Sequence, residues 1–426
     1  MRLASGEMFR PVDRTMKYRL ECTKCKANFG SDNKALVCPS CGEALDTAYS
    51  IEKVRETLTK KSLEARPMSV WKYLELLPVD DASQVVTIGE GGTRLLRATR
   101  LAESLGLKDL YLKDESRNPT GSFKDRKATV AVTKAREFGF KTVACATAGN
   151  AGASVAAYAA KAGLRAVILA FKNVTRTKLA KLVSYGADVF IVEGTSSDVN
   201  QLAVEACKKY GWCNIVAASR YNPYVKDGAK TEAIEICEQL EWKVPDWLIV
   251  PVGNGCGLVS CWKGLKELWQ TGLIDHLPKM VGVQGAECAP LVHAFTAGLP
   301  PDKIERFPNA HTIAHSIEDD FPPDGEEALE DIHESGGIAI GVEDDRMLWA
   351  QKLIAQKEGL FIEPASASTV AAAHQLLNNG YVDSNDVVAV VASGSGLNEP
   401  ESIFQNTPEP VTIRAKLESL ENALWK

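Results

Sequence analysis

From about residue 105 to residue 392 the chain repeats one pattern. A short apolar run rich in β-branched residues leads into a glycine-bearing junction and then an amphipathic helix. YLKDE, TVACAT, AVILAF, DVFIVEG, WLIVPVG, KMVGVQG and DVVAVVASG read as strands. KDRKATVAVTKAREFG, NAGASVAAYAAKAG, TRTKLAKLVSYG, KTEAIEICEQL, GLVSCWKGLKELWQ and ASTVAAAHQLLNNG read as helices. Strands that are apolar at every position are covered on both faces, and alternation with helices makes the sheets parallel. About 300 residues of this pattern fill two such sheets, so the expected fold class is α/β with two parallel-sheet domains. Ligands bind such folds at the carboxyl ends of the strands.

The 426 residues divide accordingly into a few domains. Residues 51–138 and 236–410 are expected to form a large domain, 139–235 a smaller α/β domain, and 411–426 a C-terminal docking helix. Residues 18–50 form a separate cysteine module. There CTKC is followed, twelve residues later, by CPSC. Two such turns aim Cys22, Cys25, Cys38 and Cys41 at one point, which suits a tetrahedral structural Zn²⁺ with no open ligand position; the alternative is four unmetallated thiols. CTKCKANFG is too small and too weakly basic to bind nucleic acid alone. The other seven cysteines are scattered singly, which fits a reducing cytoplasm better than a disulfide framework. A net charge of -6 gives no electrostatic case for nucleic-acid or membrane partners. No apolar run reaches the roughly 18 residues of a membrane span, and the first twenty residues lack the apolar core of a secretory signal.

Three strand–helix junctions are rich in small residues: ATAGNAGAS (146–154), VPVGNGCGL (250–258) and VASGSGLNE (391–399). Such junctions let backbone N–H groups converge at a helix N-terminus, a place for an anion. GNGCG is the best phosphate cradle, formed by Gly253, Asn254, Gly255, Cys256 and Gly257. It is not a P-loop, because no GK[ST] follows, and it lacks the last glycine of a dinucleotide fingerprint.

A fourth turn, NPTGSFKDR (118–126), delivers one lysine, Lys124, directly after a Gly-Ser turn. Lys124 is a solvated lysine, a phosphate grip or an imine-forming amine. A cofactor that needs both a phosphate cradle and an amine is pyridoxal 5'-phosphate, whose aldehyde forms a Schiff base with a lysine. Lys124 supplies the amine and Gly253–Gly257 the cradle. Asn150 can meet the ring hydroxyl and Ser393 the ring nitrogen. Thr147, Ala148 and Gly149 can bind a substrate carboxylate through their N–H groups.

From GEGGTRL (89–95) to SGSGLN (393–398) the chain resembles the fold type II pyridoxal-phosphate enzymes, and threonine synthases most closely. NPTGSFKDR is the most specific match, with NPYVKDGAKT (222–231) and IEPASAS (362–368) in support. The resemblance implies the tryptophan-synthase-β-like fold and places the cofactor on Lys124. It also puts Asn150 beside the ring, GNGCG under the phosphate and Ser393 opposite the pyridine nitrogen. It implies a small phosphoamino-acid substrate, conversion of O-phosphohomoserine and water to threonine and phosphate, and a homodimer.

This chain departs from the family pattern at Ala148, where a hydroxyl is usual, at Cys256–Gly257 in the cradle, and at Asn398, where a lysine is usual. Two related activities therefore stay open: phosphate replacement on phosphoserine by sulfite, as in a cysteate synthase, and dehydration of a hydroxyamino acid. Ala151 after Asn150, where a dehydratase normally has histidine, weighs against the second. A non-catalytic interaction protein on the same scaffold is the remaining alternative, and the intact Lys124 argues against it. Arg176, Lys178, Lys113 and Arg126 are candidate cations for a leaving phosphate; the competing role for each is a solvated charge or an ion pair. His311 and His315 read as a satisfied loop pair, not a metal site, and Glu363 as a rim residue.

Overall fold

The computed structural model describes residues 17–424, apart from 80, 148, 173, 217 and 407–409. Its strands, in chain order, are β1 (Tyr18–Cys22), β2 (Asn28–Phe29), β3 (Leu45–Tyr49), β4 (Leu95–Arg97), β5 (Asp109–Asp114), β6 (Thr142–Thr147) and β7 (Arg165–Phe171). They continue with β8 (Asp188–Val192), β9 (Cys213–Asn214), β10 (Trp247–Pro251), β11 (Lys279–Gly285), β12 (Ile338–Val342) and β13 (Val387–Ala392).

These strands make three sheets. The largest runs β12-β11-β10-β13-β5-β4, parallel except for the edge pair β4–β5. The second runs β8-β7-β6-β9 and is parallel throughout. The all-apolar runs occupy central positions: every residue of Trp247–Pro251 is buried, as the absence of alternation requires. Strands β4, β9 and β12 are too short or too interrupted by glycine to stand out in the sequence.

The two parallel sheets are joined through a layer of helices. Helix Pro223–Gln239 packs between Lys124–Glu137 and Cys256–Thr271. Gly228 makes this possible, because a Cβ there would lie 1.9 Å from the Arg126 carbonyl oxygen. The helix starts at Pro223, capped by Asn222, whose side chain accepts from the Tyr224 N–H at 3.0 Å. It runs unbroken through the expected domain boundary at 235/236, so the excursion that builds the smaller sheet ends before Pro223.

The third sheet, β2-β1-β3, is antiparallel and carries the four clustered cysteines. It is clamped to the helical layer by buried polar contacts. Thr47 Oγ1 donates to Asp227 Oδ2 at 2.6 Å, Lys263 Nζ donates to the Thr47 carbonyl at 2.9 Å, and Asp46 pairs with Lys263 at 2.6 Å. Helix Leu417–Leu424 near the C-terminus has no buried residue. Among the described residues no helix is long and apolar enough to cross a membrane.

Candidate active site

The site gathers where four parallel strands end. Strand β5 ends at Asp114 and leads into the lysine turn. There Gly121 takes φ +85°, and Asp125 closes the turn by accepting from the Thr120 N–H at 2.7 Å and its hydroxyl at 2.6 Å. Burial pushes the Asp125 carboxyl up to about 6. The turn is stitched to the loop after β13: Phe123 N donates to the Ser393 carbonyl at 3.0 Å, and Ser395 N donates to the Gly121 carbonyl at 2.9 Å. Lys124 is thereby fixed as the first residue of its helix, with its ammonium 4.2 Å from the centre of the Phe123 ring. Burial, together with the neighbouring Lys127, pushes the Lys124 amine down to about 7.

Strand β10 ends at Pro251 and delivers the glycine turn at the start of helix Cys256–Thr271. The first N–H groups of a helix have no intrahelical acceptor and face an anion favourably. The shape is set by what is missing from the glycines. A Cβ on Gly253 would sit 3.1 Å from Ile317 Cα, and one on Gly255, whose φ is +94°, would sit 2.9 Å from the Asp324 backbone. Asn254 Oδ1 accepts from the Cys256 N–H at 3.1 Å. The Cys256 thiol is buried, 3.7 Å from Ser260 Oγ, and Cys256 lines neither of the two cavities described below.

Strand β6 ends at Thr147, and its hydroxyl accepts from the N–H groups of Gly149 at 2.8 Å and Gly152 at 3.1 Å. That shapes the loop into helix Asn150–Ala162. Ala148 lies outside the described residues. The Asn150 side-chain amide donates to both oxygens of Glu363, at 2.8 and 3.1 Å, and to Ser316 Oγ at 3.3 Å. Ser393, buried after β13, lies with its hydroxyl 3.1 Å from Ser366 Oγ.

Two adjoining cavities result. One, about 580 Å³ with its open mouth, is walled by Lys124, Thr147, Gly149, Asn150, Asn200 and the turn His315–Asp319. The other is walled by Lys124, Asn150, the Gly253–Gly257 turn, Glu363 and Ser393. Lys124, Asn150, Gly253, Asn254 and Ser316 border both.

Four expected substrate cations are placed differently. Lys113 and Arg126 are fully buried away from the cavities. Arg126 meets Glu115 and Glu235, each at 2.7 Å, and Lys113 meets Glu235 at 2.8 Å. A positive charge next to a ligand turn resembles a ligand in one dimension; here its partner Glu235 is more than a hundred residues away. Arg176 opens helix Arg176–Ser184 but is exposed and lines neither cavity. Lys178 comes closer: its stem lies against Gly149, where a Cβ would be 2.3 Å from Lys178 Cδ. Its ammonium, however, is committed to Glu399 and, at 3.7 Å, to Glu363. Burial works against that charge, but the two carboxylates outweigh it and hold it above the ordinary lysine range.

Three residues of the site were not anticipated in their roles. Glu363 is buried, not at the rim, and its carboxyl is pushed up by burial although Lys178 opposes this. Ser316 bridges Asn150 and Glu363. His315, read as a loop histidine, lines the larger cavity. An i, i+4 histidine pair carries no sign of which cavity it faces.

A lysine amine near neutrality, a glycine cradle on a helix N-terminus and a buried hydroxyl around one cavity fit a phosphorylated aldehyde cofactor. Residues 86–394 match the model of the pyridoxal-phosphate dependent enzyme family, and the chain belongs to that family. It is 41% identical over 408 residues to the threonine synthase of Methanocaldococcus jannaschii, covering 95% of this chain and 98% of that one. It is 39% identical to the threonine synthase of Methanosarcina acetivorans, over 96% and 99% of the two chains. Among solved structures it resembles a threonine deaminase from Solanum lycopersicum (TM-score 0.64, 22% identity, 80% of this chain and 96% of that one). Maize serine racemase is also similar (TM-score 0.62, 20% identity, 78% and 91%). At these identities the structures speak for the fold alone.

Proposed function

We propose that the protein is a pyridoxal-phosphate-dependent lyase that converts O-phosphohomoserine and water to L-threonine and phosphate. The observation that carries this is end-to-end similarity to threonine synthases at 41% identity, combined with a near-neutral lysine beside the phosphate cradle.

The bound cofactor supplies an aldehyde for the substrate amine and an electron sink for charge left at Cα. The Gly253–Gly257 turn would hold its phosphate, and Asn150 and Ser393, which line the same cavity, would meet its ring. The loop Thr147–Asn150 grips the substrate carboxylate. Lys124 Nζ, poised to be half deprotonated near pH 7, takes the Cα proton as a general base. Glu363 fixes the Asn150 amide in one orientation. In the net reaction the Cγ–O bond breaks to release phosphate, the water hydroxyl ends on Cβ, and Cγ becomes a methyl group.

The test is to reconstitute the protein with pyridoxal phosphate and measure threonine and inorganic phosphate from O-phosphohomoserine. Borohydride reduction followed by peptide mass analysis is expected to place the cofactor on Lys124. Turnover of phosphoserine with sulfite, without turnover of O-phosphohomoserine, would move the assignment to the cysteate-synthase type.

The N-terminal sheet is assigned a structural Zn²⁺ on Cys22, Cys25, Cys38 and Cys41. In support, the four Sγ atoms all lie within 4.8 Å of one another, with Cys22–Cys41 at 3.5 Å and Cys25–Cys38 at 3.7 Å. Zn–S bonds of about 2.3 Å in a tetrahedron put sulfurs roughly 3.8 Å apart. One zinc per chain by metal analysis is the expected result.

A further inference from the structure

A phosphate monoester carries up to two negative charges, so a cleft that selects one needs a cation in its wall. Among the described residues lining the two cavities, only Lys124 and His315 can be positive. Lys124 is committed to the cofactor. Lys113, Arg126 and Lys178 are held by carboxylates, and Arg176 lies outside. On the same wall, Glu318 and Asp319 oppose any anion that no cation answers.

His315 is placed for that task. It opens the short turn His315–Ile317, which lies directly on the cofactor cradle: Gly253 has room only for a hydrogen against Ile317 Cα and the Ser316 carbonyl. The side chain keeps 35% of its surface exposed, and Nδ1 stands 3.7 Å from Glu399 Oε1. That nitrogen is buried and has no hydrogen-bond partner among the described residues. The carboxylate on one side leaves Nε2 as the donor for a ligand. The same Glu399 also holds Lys178, whose stem supports Gly149 of the carboxylate loop. One acid thus stands beside both the His315 ring and the Lys178 ammonium.

We infer that His315 is the specificity residue for the substrate's phosphate, donating an N–H to the monoester and so selecting phosphorylated amino acids over their free hydroxyl counterparts. This rests on the reading of the substrate as O-phosphohomoserine. The surrounding charges agree with it. Glu399 and Glu318 hold the imidazole above its ordinary range, against burial and the Lys178 ammonium. Burial pushes the Asp319 carboxyl up to about 7, which reduces the opposing charge. Phosphate recognition is therefore present below the raised pKa of His315 and lost as pH rises through it.

The experiment uses the holoenzyme and inorganic phosphate as the probe. Phosphate affinity is read from perturbation of the cofactor's visible spectrum and from product inhibition. His315→Gln is expected to weaken phosphate binding and raise KM for O-phosphohomoserine by about tenfold or more, the worth of one charge-assisted hydrogen bond. The spectral response to L-threonine, which has no phosphate, should stay the same. His315→Lys, which keeps a cation, is expected to retain most of the affinity and serves as the control for folding. Equal phosphate affinity in wild type and His315→Gln, or no phosphate binding by wild type, overturns the assignment. If wild type binds phosphate through His315 but does not turn over O-phosphohomoserine, the substrate reading fails and the phosphate site stands.

Discussion

Arg126 separates architecture from chemistry within one motif. Its guanidinium spends every donor inside the protein: Nε and Nη2 on Glu115 at 2.7 and 2.8 Å, Nη1 and Nη2 on Glu235 at 2.8 and 2.7 Å, and the second Nη1 hydrogen on Thr231 at 3.1 Å, while Nη2 also lies 3.0 Å from Thr93 Oγ1. Glu115 and Glu235 are both fully buried. In Arg126→Met, Glu235 keeps Lys113 at 2.8 Å, but Glu115 is left with only the neutral donors Thr93 and Asn118. Breaking a buried pair this way costs about 3–5 kcal/mol, because a desolvated charge loses its partner. With an m-value of about 3 kcal/mol/M, the urea midpoint falls by about 1–1.7 M. The exposed pair Arg97–Asp109 is the internal control; Arg97→Met should cost less than about 1 kcal/mol. Denaturation followed by circular dichroism gives the midpoint, and steady-state kinetics on the folded variant give KM. An unchanged midpoint with a raised KM for the phosphorylated substrate would refute the reasoning and return Arg126 to the substrate site.

Four further outcomes are expected. The rate at which the cofactor-free protein takes up pyridoxal phosphate should rise with pH and level off just above about 7, where Lys124 is deprotonated; a rise continuing toward pH 10 would mean an ordinary lysine. The same depressed amine makes the cofactor-free fold gain stability as pH climbs from about 7 toward the unfolded value of 10.5, since below that window the buried amine must be charged. Gly255→Ala puts a side chain at φ +94° against the Asp324 backbone, a strain of about 1–3 kcal/mol, so fluorescence titration should show cofactor affinity reduced roughly tenfold, with Gly272→Ala, also at positive φ but with no atom near the added Cβ, as control. On the proposed zinc assignment, chelation should lower the thermal midpoint and weaken cofactor binding together, because β3 is clamped to the helix that starts at the glycine turn; loss of metal with both unchanged would detach the cysteine module from the site.

The parts of the fold and site set by local chemistry were legible in the sequence. All-apolar runs located the central strands, because a strand covered on both faces has no alternation to hide it. Glycines at strand ends located the cradle and the Asn150 loop, since those backbones need either positive φ or the absence of a Cβ. What escaped reading depends on distant partners. Nothing in NPTGSFKDR shows that Arg126 will meet Glu235, or that Asn398 will donate to the Gly121 carbonyl at 3.1 Å. Glu363 looked like a rim acid because its cover, Lys178 and Ser316, comes from two other segments. The 235/236 position falls inside helix Pro223–Gln239, because a buried helix and a domain edge can share one composition.

Between helix Lys124–Glu137 and Pro223 the chain builds the four-stranded sheet, and the two helices that flank this segment pack against each other, with Gly228 against the Arg126 carbonyl. The β6–β9 unit is therefore a loop insertion whose ends are neighbours. Such a unit is open to grafting: recombination could exchange the whole cassette, with its Thr147–Asn150 loop and Asn200, while the lysine and cradle stay rooted in the host. The cavity wall is thus divided at one seam, with Thr147, Gly149, Asn150 and Asn200 on one side of it and Lys124 and the Gly253–Gly257 turn on the other.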